Sequence, residues 1–335
     1  MNGAVSDPVL SLEGLTVTFG SARGTARVVD DVDWAVHPGE TLAVVGESGS
    51  GKSMTVLSAT GLAPRGAKVT GTVRLLGDDL TAMADADRRR ARGRHIGFVY
   101  QDPMTSLNPV ITVGRQVSEA CEEHLGMSKG DGRKRAIELL GLVGIPSPEE
   151  RVDNYPHQFS GGMRQRVVIA MALANEPEVL IADEATTALD VTTQAQILEL
   201  VAGLQERLGM AVVWITHDLG VVAGIADRVA VMYGGRIIEH GTVDAIFEDP
   251  GHPYTQALLA ARPQPGVRTD RLLTIAGTPP LPTQLPAGCA FWPRCPVRGD
   301  ARCETEQPPL TEVSPGHHVR SFYRADLAVT EERSA

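Results

Sequence analysis

The 335-residue sequence predicts an α/β fold with a mixed central sheet, a small antiparallel sheet and a helical subdomain. Two observations lead to this prediction. Short apolar runs, such as residues 41–45, 179–182 and 211–215, alternate with stretches of helical periodicity, as buried strands and their covering helices do. Residues 46–53 have the pattern G-x-x-x-x-G-K-S and lie between an apolar run and a helical stretch, which is the context of a phosphate-binding loop.

The first part of the chain predicts the antiparallel sheet. Residues 9–40 alternate apolar and polar side chains, with turn residues between Gly20 and Gly24. This period of two predicts antiparallel strands that cover one side of the phosphate-binding loop. Phe19 lies in the first of these strands and could stack on the adenine of a nucleotide. Packing within the small sheet is an equally good interpretation, because a single aromatic residue is weak evidence.

The residue types of the loop indicate how it would bind a nucleotide. Glycines permit backbone conformations and close approaches that a Cβ would block, so successive N–H groups can converge on phosphate oxygens at a helix start. Lys52 is predicted to contact the β- and γ-phosphates, and the Ser53 hydroxyl is predicted to bind Mg²⁺. The predicted nucleotide contacts are Gly46, Glu47, Ser48, Gly49, Ser50, Gly51, Lys52, Ser53 and Thr55.

Polar residues follow three later apolar runs, at the strand ends where ligands of open α/β sheets bind. The amide oxygen of Gln101 could contact a metal ion or a water molecule. Asp183 is the predicted partner of Mg²⁺, and Glu184 could position a water molecule for attack on the γ-phosphorus. His217 is predicted to contact the γ-phosphate.

A helical region separates the first of these strand ends from the second. Residues 112–158 are predicted to form helices with intervening loops, within a helical subdomain of about residues 105–165. Ser160, Gly161 and Gly162 open the next helix and form a second anion site, physically similar to the first. A second phosphate-binding helix start in one chain needs a separate explanation.

The chain changes character after the last apolar runs. The stretch Tyr233-Gly234-Gly235-Arg236 is predicted to form a hairpin that closes the central sheet, and the domain of residues 9–248 is expected to end shortly after it. Residues 249–325 form a small extension rich in proline and containing cysteines. Residues 326–335 are expected to be a flexible tail.

Composition excludes several classes of function. The net charge of −10 and the isoelectric point of about 5.4 argue against a nucleic-acid-binding surface. The basic run 88–94 is best interpreted as a solvated helix end or loop, with a contact to an anionic lipid or a partner as the alternative. No segment approaches the roughly 20 apolar residues that span a bilayer, and residues 1–8 do not look like a secretory signal. The chain is therefore expected to be cytoplasmic.

The ordered set of motifs resembles the nucleotide-binding subunit of an ATP-binding-cassette transporter, a P-loop NTPase, over residues 9–248. The motifs are the Walker A loop at 46–53, the Q-loop glutamine Gln101, the signature Ser160-Gly161-Gly162-Met163, the Walker B strand at 179–183 with catalytic Glu184, the D-loop Ala188-Leu189-Asp190 and the switch histidine His217. The signature follows Phe159 and has Met163 where glutamine is usual. Both departures resemble the branch of peptide importers.

The resemblance also explains the second anion site. In this family two cassettes pair head to tail, so Ser160, Gly161 and Gly162 would contact the γ-phosphate held by the partner's Walker A loop. The resemblance also implies that Asp190 of the D-loop contacts the nucleotide. The implied ligands are ATP and Mg²⁺. The implied partners are a second cassette, identical or homologous, two transmembrane permease subunits and an extracytoplasmic solute-binding protein, which places the chain peripherally at the cytoplasmic face of the membrane.

The extension resembles the C-terminal region of dipeptide, oligopeptide and nickel import ATPases, some of which carry an iron–sulfur cluster on four cysteines. Cys289, Cys295 and Cys303 match three of those positions, and Ser321 lies at the fourth. Thiolates suit iron–sulfur clusters or zinc, and His317 could complete a site, as could its neighbour His318. A cluster, a zinc ion and a metal-free packed tail are the open alternatives.

The sequence thus predicts the ATP-hydrolysing subunit of an importer for dipeptides or oligopeptides. A cassette for nickel or another small solute is the main alternative. A soluble cassette ATPase acting on DNA or the ribosome fits less well, because the chain is acidic, holds one cassette and lacks sustained heptads. An exporter cassette also fits less well, because exporters often fuse the cassette to membrane spans and because the extension resembles that of peptide importers.

Overall fold

The structure is a computed structural model that describes residues 6–21, 24–187, 189–261, 275–297 and 301–322. Ala188 of the D-loop and the tail at 326–335 lie outside the described residues. The strands are β1 Leu10–Ser21, β2 Gly24–Val36, β3 Thr41–Val45, β4 Ala67–Leu75, β5 Asp78–Asp79, β6 Ile96–Val99, β7 Val179–Asp183, β8 Ala211–Thr216, β9 Arg228–Tyr233, β10 Arg236–Thr242, β11 Thr311–Ser314 and β12 His317–Val319.

The described helices cover both faces of the larger sheet and fill the region between β6 and β7. They are α1 Lys52–Ala59, α2 Asp85–His95, α3 Pro103–Ser106, α4 Val113–Leu125, α5 Lys129–Leu142, α6 Pro148–Arg151, α7 Gly161–Ala172, α8 Val191–Leu208, α9 Leu219–Ile225, α10 Val243–Glu248, α11 Pro253–Ala260 and α12 Arg302–Thr305. Short 3₁₀ helices lie at Pro156–Gln158 and Trp292–Arg294. None of the helices in the described ranges is both long and apolar enough to cross a membrane.

The central sheet has the order β11-β12-β10-β9-β3-β8-β7-β6. Strands β9, β3, β8, β7 and β6 are parallel, and β3, β7 and β8 are buried along their whole length. Parallel strands place their carboxyl ends at one edge of the sheet. The residues that follow β3, β6, β7 and β8 therefore meet at that edge, as the motif order predicts.

Three apolar cores pack on the central sheet and confirm the predicted fold class, and one of them joins β3 and β9 to the extension. On one face, the antiparallel sheet β2-β1-β4-β5 packs its apolar side on central-sheet residues such as Val44 and Ile181. On the other face, α4, α5 and α7 build a core with Leu180 and Trp214. The apolar faces of the early strands and of these helices thus pack as separate layers on opposite faces of the central sheet.

The predicted hairpin forms, but the prediction that it closes the central sheet is wrong. Strand β12 pairs antiparallel with the free side of β10, in the register His240↔His318, and β11 continues the sheet beyond it. The C-terminal extension is therefore part of the same sheet. Its two strands are four and three residues long and mostly polar, so they carry no periodic signal in the sequence.

A buried carboxylate fastens the extension to the cassette. Glu239 of β10 is fully buried and accepts hydrogen bonds from the backbone N–H groups of Gly251 (2.6 Å) and His252 (2.9 Å). Its Oε1 also lies 2.8 Å from Nε2 of the buried His317 in β12. A buried carboxylate is stable only when such donors surround it, so β10, the turn at 251–252 and β12 depend on one another.

The basic run 88–94 forms the second half of α2, a helix without buried residues, as the solvated interpretation predicts. Arg88 and Arg90 pair with Asp85 and Asp87 on the same helix. Arg92 donates to the carbonyl oxygen of Thr60 at 3.0 Å. Part of the positive charge is thus used in local contacts.

Acid should loosen the region around Glu239. Burial lowers the pKa of His252 to about 4, and Glu239 opposes that shift only in part. An unfolded histidine titrates near pH 6.5, so the unfolded chain binds more protons between about pH 6.5 and 4. We expect full stability above about pH 6.5 and a decline toward pH 4, to which His252 contributes up to about 3 kcal/mol.

His252→Asn provides the measurement, because an asparagine oxygen can still accept the hydrogen bond from the N–H of Tyr254 but does not titrate. The decline in Tm between about pH 7 and pH 4.5 should be smaller in this variant than in the wild-type chain. The same substitution at the exposed His157 serves as the control and should leave the decline unchanged. Equal declines in all three proteins would contradict the prediction.

Candidate active site

The phosphate-binding loop leads from β3 into α1. Gly51 is the N-cap of α1, and no side chain caps this helix start or places an acidic group in its first turn. The first N–H groups of the helix are therefore available, and they lie at the positive end of its dipole. An anionic ligand such as a phosphate fits this helix start.

Two glycines of the loop lie against other backbone segments. Gly46 has φ +153°, and a Cβ there would lie 2.3 Å from the carbonyl oxygen of Met232. Gly51 has φ +105°, and a Cβ there would lie 2.9 Å from the carbonyl oxygen of Val28. The loop therefore packs closely against the backbone of β2 and of β9, and a side chain larger than that of glycine would clash at these two positions.

Lys52 is the central charge of the site. Its side chain is 4% exposed, and Nζ donates to the carbonyl oxygens of Gly46 (2.8 Å) and Glu47 (3.1 Å). Nζ also lies 3.9 Å from Oε1 of Glu184. Burial lowers the pKa of Lys52, while the charges of Glu184 and Asp183 act in the opposite direction. The ammonium group is held at the loop, where a phosphate would lie.

Ser53 and Asp183 meet as the sequence predicts. The Ser53 hydroxyl donates to Oδ1 of Asp183 at 2.8 Å. Burial raises the pKa of the Asp183 carboxyl, and the hydrogen bond from Ser53 opposes this shift. A hydroxyl and a carboxylate side by side are hard oxygen donors of the kind that Mg²⁺ prefers, so the residues present fit this ion.

Glu184 stands among the other predicted catalytic groups. It follows β7 directly and has φ +49°, a strained value for a non-glycine residue. Nε2 of Gln101 donates to its Oε2 at 3.1 Å, and Nδ1 of His217 lies 3.7 Å from its Oε1. Its side chain is 16% exposed. One partly exposed carboxylate at the end of β7 thus contacts groups that follow two other strands, β6 and β8.

The signature residues are placed on a different surface. Ser160 caps α7, where its hydroxyl accepts a hydrogen bond from Met163 N at 3.4 Å, and Ser160 and Gly161 are exposed. A Cβ on Gly162 would lie 2.7 Å from Thr193 at the start of α8. Within the described ranges, no hydrogen bond or ion pair that we find joins residues 160–162 to residues 46–53. The second anion site is therefore not part of the first within this chain.

Three other predicted contacts are used within the chain. Asp190 caps α8 by accepting a hydrogen bond from Thr193 N at 2.9 Å. Thr55 is 1% exposed and its hydroxyl donates to the carbonyl oxygen of Gly51, which argues against a side-chain contact with a nucleotide. Phe19 packs, half-buried, against the core beneath the antiparallel sheet. Its stacking on adenine stays a prediction.

The sequence interpretation missed two residues that contact the loop. The hydroxyl of Tyr254 accepts a hydrogen bond from Glu47 N at 2.8 Å. Nη1 and Nη2 of Arg294 donate to the two carboxylate oxygens of Glu47 at 2.6 and 3.0 Å. Both residues belong to the C-terminal extension and lie more than 200 positions after Glu47, so no local pattern could have identified them.

The predicted cluster residues line one cavity without forming a metal site. Cys289, Cys295, Cys303 and Ser321 border a cavity of about 20 Å³, and no disulfide joins the cysteines. Burial raises the pKa of the Cys289 thiol. In the part of the chain that the structure describes, no three Cys, His, Asp or Glu side chains are arranged to hold a metal ion. This arrangement does not fit an iron–sulfur cluster.

Comparison with known protein families gives two matches. The family described as "ABC transporter" matches residues 29–187. The family described as "Oligopeptide/dipeptide transporter, C-terminal region" matches residues 238–303. The two matches together span the phosphate-binding loop, the signature, the Walker B strand and the extension as far as residue 303.

Relatives and solved structures agree with these matches. The oligopeptide transport ATP-binding protein OppD of Bacillus subtilis is 50% identical over 94% of this chain and 88% of its own length. The dipeptide transport ATP-binding protein DppD of the same organism is 50% identical over 96% of this chain and 98% of its own length. The dimeric cassette MJ0796 in a post-hydrolysis state bound to ADP and Pi has a TM-score of 0.62 at 30% identity, covering 70% of this chain and 98% of that one. CbiO1 of Clostridium perfringens has a TM-score of 0.63 at 29% identity, and the match covers 73% of this chain and 92% of that one.

The fit of the loop against β9 can be tested at Gly46. In Gly46→Ala the new Cβ would meet the carbonyl oxygen of Met232, so the loop must move and we expect loss of ATP binding together with a lower Tm. The matched control is Gly39→Ala, which also has positive φ but has no atom within 4 Å of the new Cβ. Gly39→Ala should lower the free energy of unfolding by about 1 kcal/mol and keep ATP binding. Titration with a fluorescent ATP analogue measures the ATP affinity of both variants. Normal affinity in Gly46→Ala would contradict the prediction.

Proposed function

The chain belongs to the ATP-binding subunits of oligopeptide and dipeptide ABC transporters, and on this basis we propose that it hydrolyses ATP to energise the import of peptides across the cytoplasmic membrane. The observation that carries the proposal is the meeting of Lys52, Ser53, Asp183 and Glu184 at one edge of the parallel strands. These groups are the ones that phosphoryl transfer to water requires.

The loop and Lys52 bind the nucleotide. The uncapped N–H groups at the start of α1 would donate to the phosphate oxygens, and the Lys52 ammonium would balance the charge of the β- and γ-phosphates. Ser53 and Asp183 would hold Mg²⁺, with Gln101 as a further candidate ligand, and the bound ion would neutralise charge on the phosphates. The nucleotide would displace the carbonyl contacts that Lys52 makes in the loop.

Glu184 acts on the attacking water. Its carboxylate is the acceptor for the water's proton and orients the lone pair toward the γ-phosphorus. Gln101 and His217 contact this carboxylate and hold it in place. His217 lies at the end of β8, where it can also contact the γ-phosphate.

A second cassette completes the site. Ser160 and Gly161 are exposed at a helix start, and among the described residues no hydrogen bond or ion pair joins them to the chain's own loop, which supports a head-to-tail pair in which each signature faces the partner's ATP. The partner is a second copy or a homologous subunit. Closure on ATP would be transmitted through the helical subdomain to two permease subunits, with an extracytoplasmic solute-binding protein delivering the peptide. The chain would then lie peripherally at the cytoplasmic face of the membrane.

The peptide assignment is supported by the extension. The match at residues 238–303 is to a region described for oligopeptide and dipeptide transporters, and OppD and DppD are named for peptide transport. No observation favours nickel or another small solute, an exporter, or a soluble ATPase acting on DNA or the ribosome over this assignment.

Glu184→Gln tests the proposed chemistry. The amide cannot accept the proton, so we expect ATP affinity within a few-fold of wild type and hydrolysis reduced by at least about 100-fold. Lys52→Ala should instead lose ATP binding itself, because it removes the charge at the loop. Glu149→Gln, on an exposed helix surface, is the control and should hydrolyse ATP normally.

The transport role is tested with the same variants in cells. Uptake of a labelled dipeptide or oligopeptide should be lost in Glu184→Gln and kept in Glu149→Gln. Unaltered hydrolysis by purified Glu184→Gln would refute its role. Normal hydrolysis by the wild type together with peptide uptake that does not depend on this chain would refute the peptide assignment alone.

Of the three alternatives for the cysteines, we propose the metal-free packed tail. Its support is the small cavity and the serine at position 321. Protein purified without oxygen should be colourless and contain no stoichiometric iron or zinc. A brown preparation with bound iron would establish the cluster instead, and stoichiometric zinc would establish the zinc site.

A further inference from the structure

The phosphate-binding loop contains a negative charge of its own. Glu47 is the second residue of the loop, and its backbone carbonyl accepts a hydrogen bond from Lys52 Nζ. Its side-chain charge acts on Lys52 as well. A polyphosphate that binds at the start of α1 must approach this carboxylate, and like charges at short range repel in a partly buried site.

Arg294 neutralises this carboxylate. The Arg294 side chain is 4% exposed and forms a bidentate ion pair with Glu47, a geometry that fixes both groups. Its remaining donors reach the carbonyl oxygens of Ala276 (2.9 Å) and Ile275 (3.2 Å) and the hydroxyl of Tyr233 (3.2 Å). Contacts with the extension thus position the guanidinium group, and two of its N–H groups donate hydrogen bonds to Glu47 of the loop.

Aromatic packing holds this arrangement together. The rings of Tyr233, Tyr254 and Phe291 lie 4.6 to 5.4 Å apart in a buried cluster. Tyr233 ends β9, Tyr254 lies in α11 and Phe291 precedes the 3₁₀ helix that contains Arg294. The hydroxyl of Tyr254 accepts the N–H of Glu47, so the backbone and the side chain of one loop residue both contact the extension.

We propose that Arg294 is a positioning residue of the ATP site, through which the C-terminal extension controls the affinity of the loop for ATP. The ion pair removes the repulsion between Glu47 and the phosphates and fixes the first part of the loop. Arg294 acts through Glu47 and does not contact the nucleotide. The inference rests on the proposal that residues 46–53 bind ATP.

The test separates charge compensation from simple packing of the tail. Arg294→Gln leaves Glu47 without its partner, and we expect about ten-fold weaker ATP binding, with KM raised more than kcat is lowered. Glu47→Gln in the same chain removes the uncompensated charge, so the double variant should recover most of the affinity. Arg294→Lys keeps the charge but loses the bidentate geometry and should lie between wild type and Arg294→Gln.

Arg320→Gln is the matched control. Arg320 also belongs to the extension and donates to the carbonyl oxygens of Ile237 and Pro308, and among the described residues no hydrogen bond or ion pair joins it to the loop. Its loss weakens the attachment of the tail and should leave ATP affinity within about two-fold of wild type. Affinity is measured with a fluorescent ATP analogue on the full-length chain, and Tm is recorded for every variant.

The outcomes are distinct. Wild-type affinity in Arg294→Gln overturns the inference. Weak binding that Glu47→Gln does not restore, and that Arg320→Gln reproduces, also overturns it, because the cause is then tail packing. If Lys52→Ala keeps wild-type affinity, the ATP site itself is misassigned, which is the failure of the proposed function. Restored affinity in the double variant, with an unaffected Arg320→Gln, supports the inference.

Discussion

The arrangement of the site depends on one buried ammonium group at the carboxyl edge of the parallel strands. A lysine that is 4% exposed must be surrounded by acceptors, and Lys52 finds them in two loop carbonyl oxygens and the nearby Glu184. The loop can supply those carbonyls only because its glycines let it lie against β2 and β9. A phosphate that enters this site takes over as the counter-charge, so the protein holds in advance the charge that ATP will meet.

The sequence predicts this edge well because each participating residue lies at the end of an apolar run or within two residues after it. Gln101, Asp183, Glu184 and His217 follow three apolar runs, and parallel pairing brings the ends of those runs together. The positions of Thr55 and Phe19 were harder to predict. A residue in the first turn of α1 can face the ligand or its own helix, and periodicity does not distinguish the two.

What the sequence does not reveal comes from contacts between distant segments. The ion pair of Glu47 with Arg294 joins residues 247 positions apart, and a proline-rich stretch with one arginine has no pattern that points to a loop near the start of the chain. Strands β11 and β12 were missed because they are short and polar. The extension therefore looks like an appendage in the sequence, whereas Glu239, His317 and Arg294 make it a structural part of the cassette.

The pairing of β12 with β10 also bears on how the protein folds during synthesis. Strand β10 has seven residues and includes Ile237 and Ile238, and without β12 its backbone groups would form an open edge able to pair with another chain. In the finished protein the sheet instead ends at β11, four residues long and largely polar. Strand β12 can pair with β10 only after residue 319 has been synthesised. A nascent or truncated cassette that ends near residue 248 therefore exposes an aggregation-prone edge strand, which β12 covers in the complete chain.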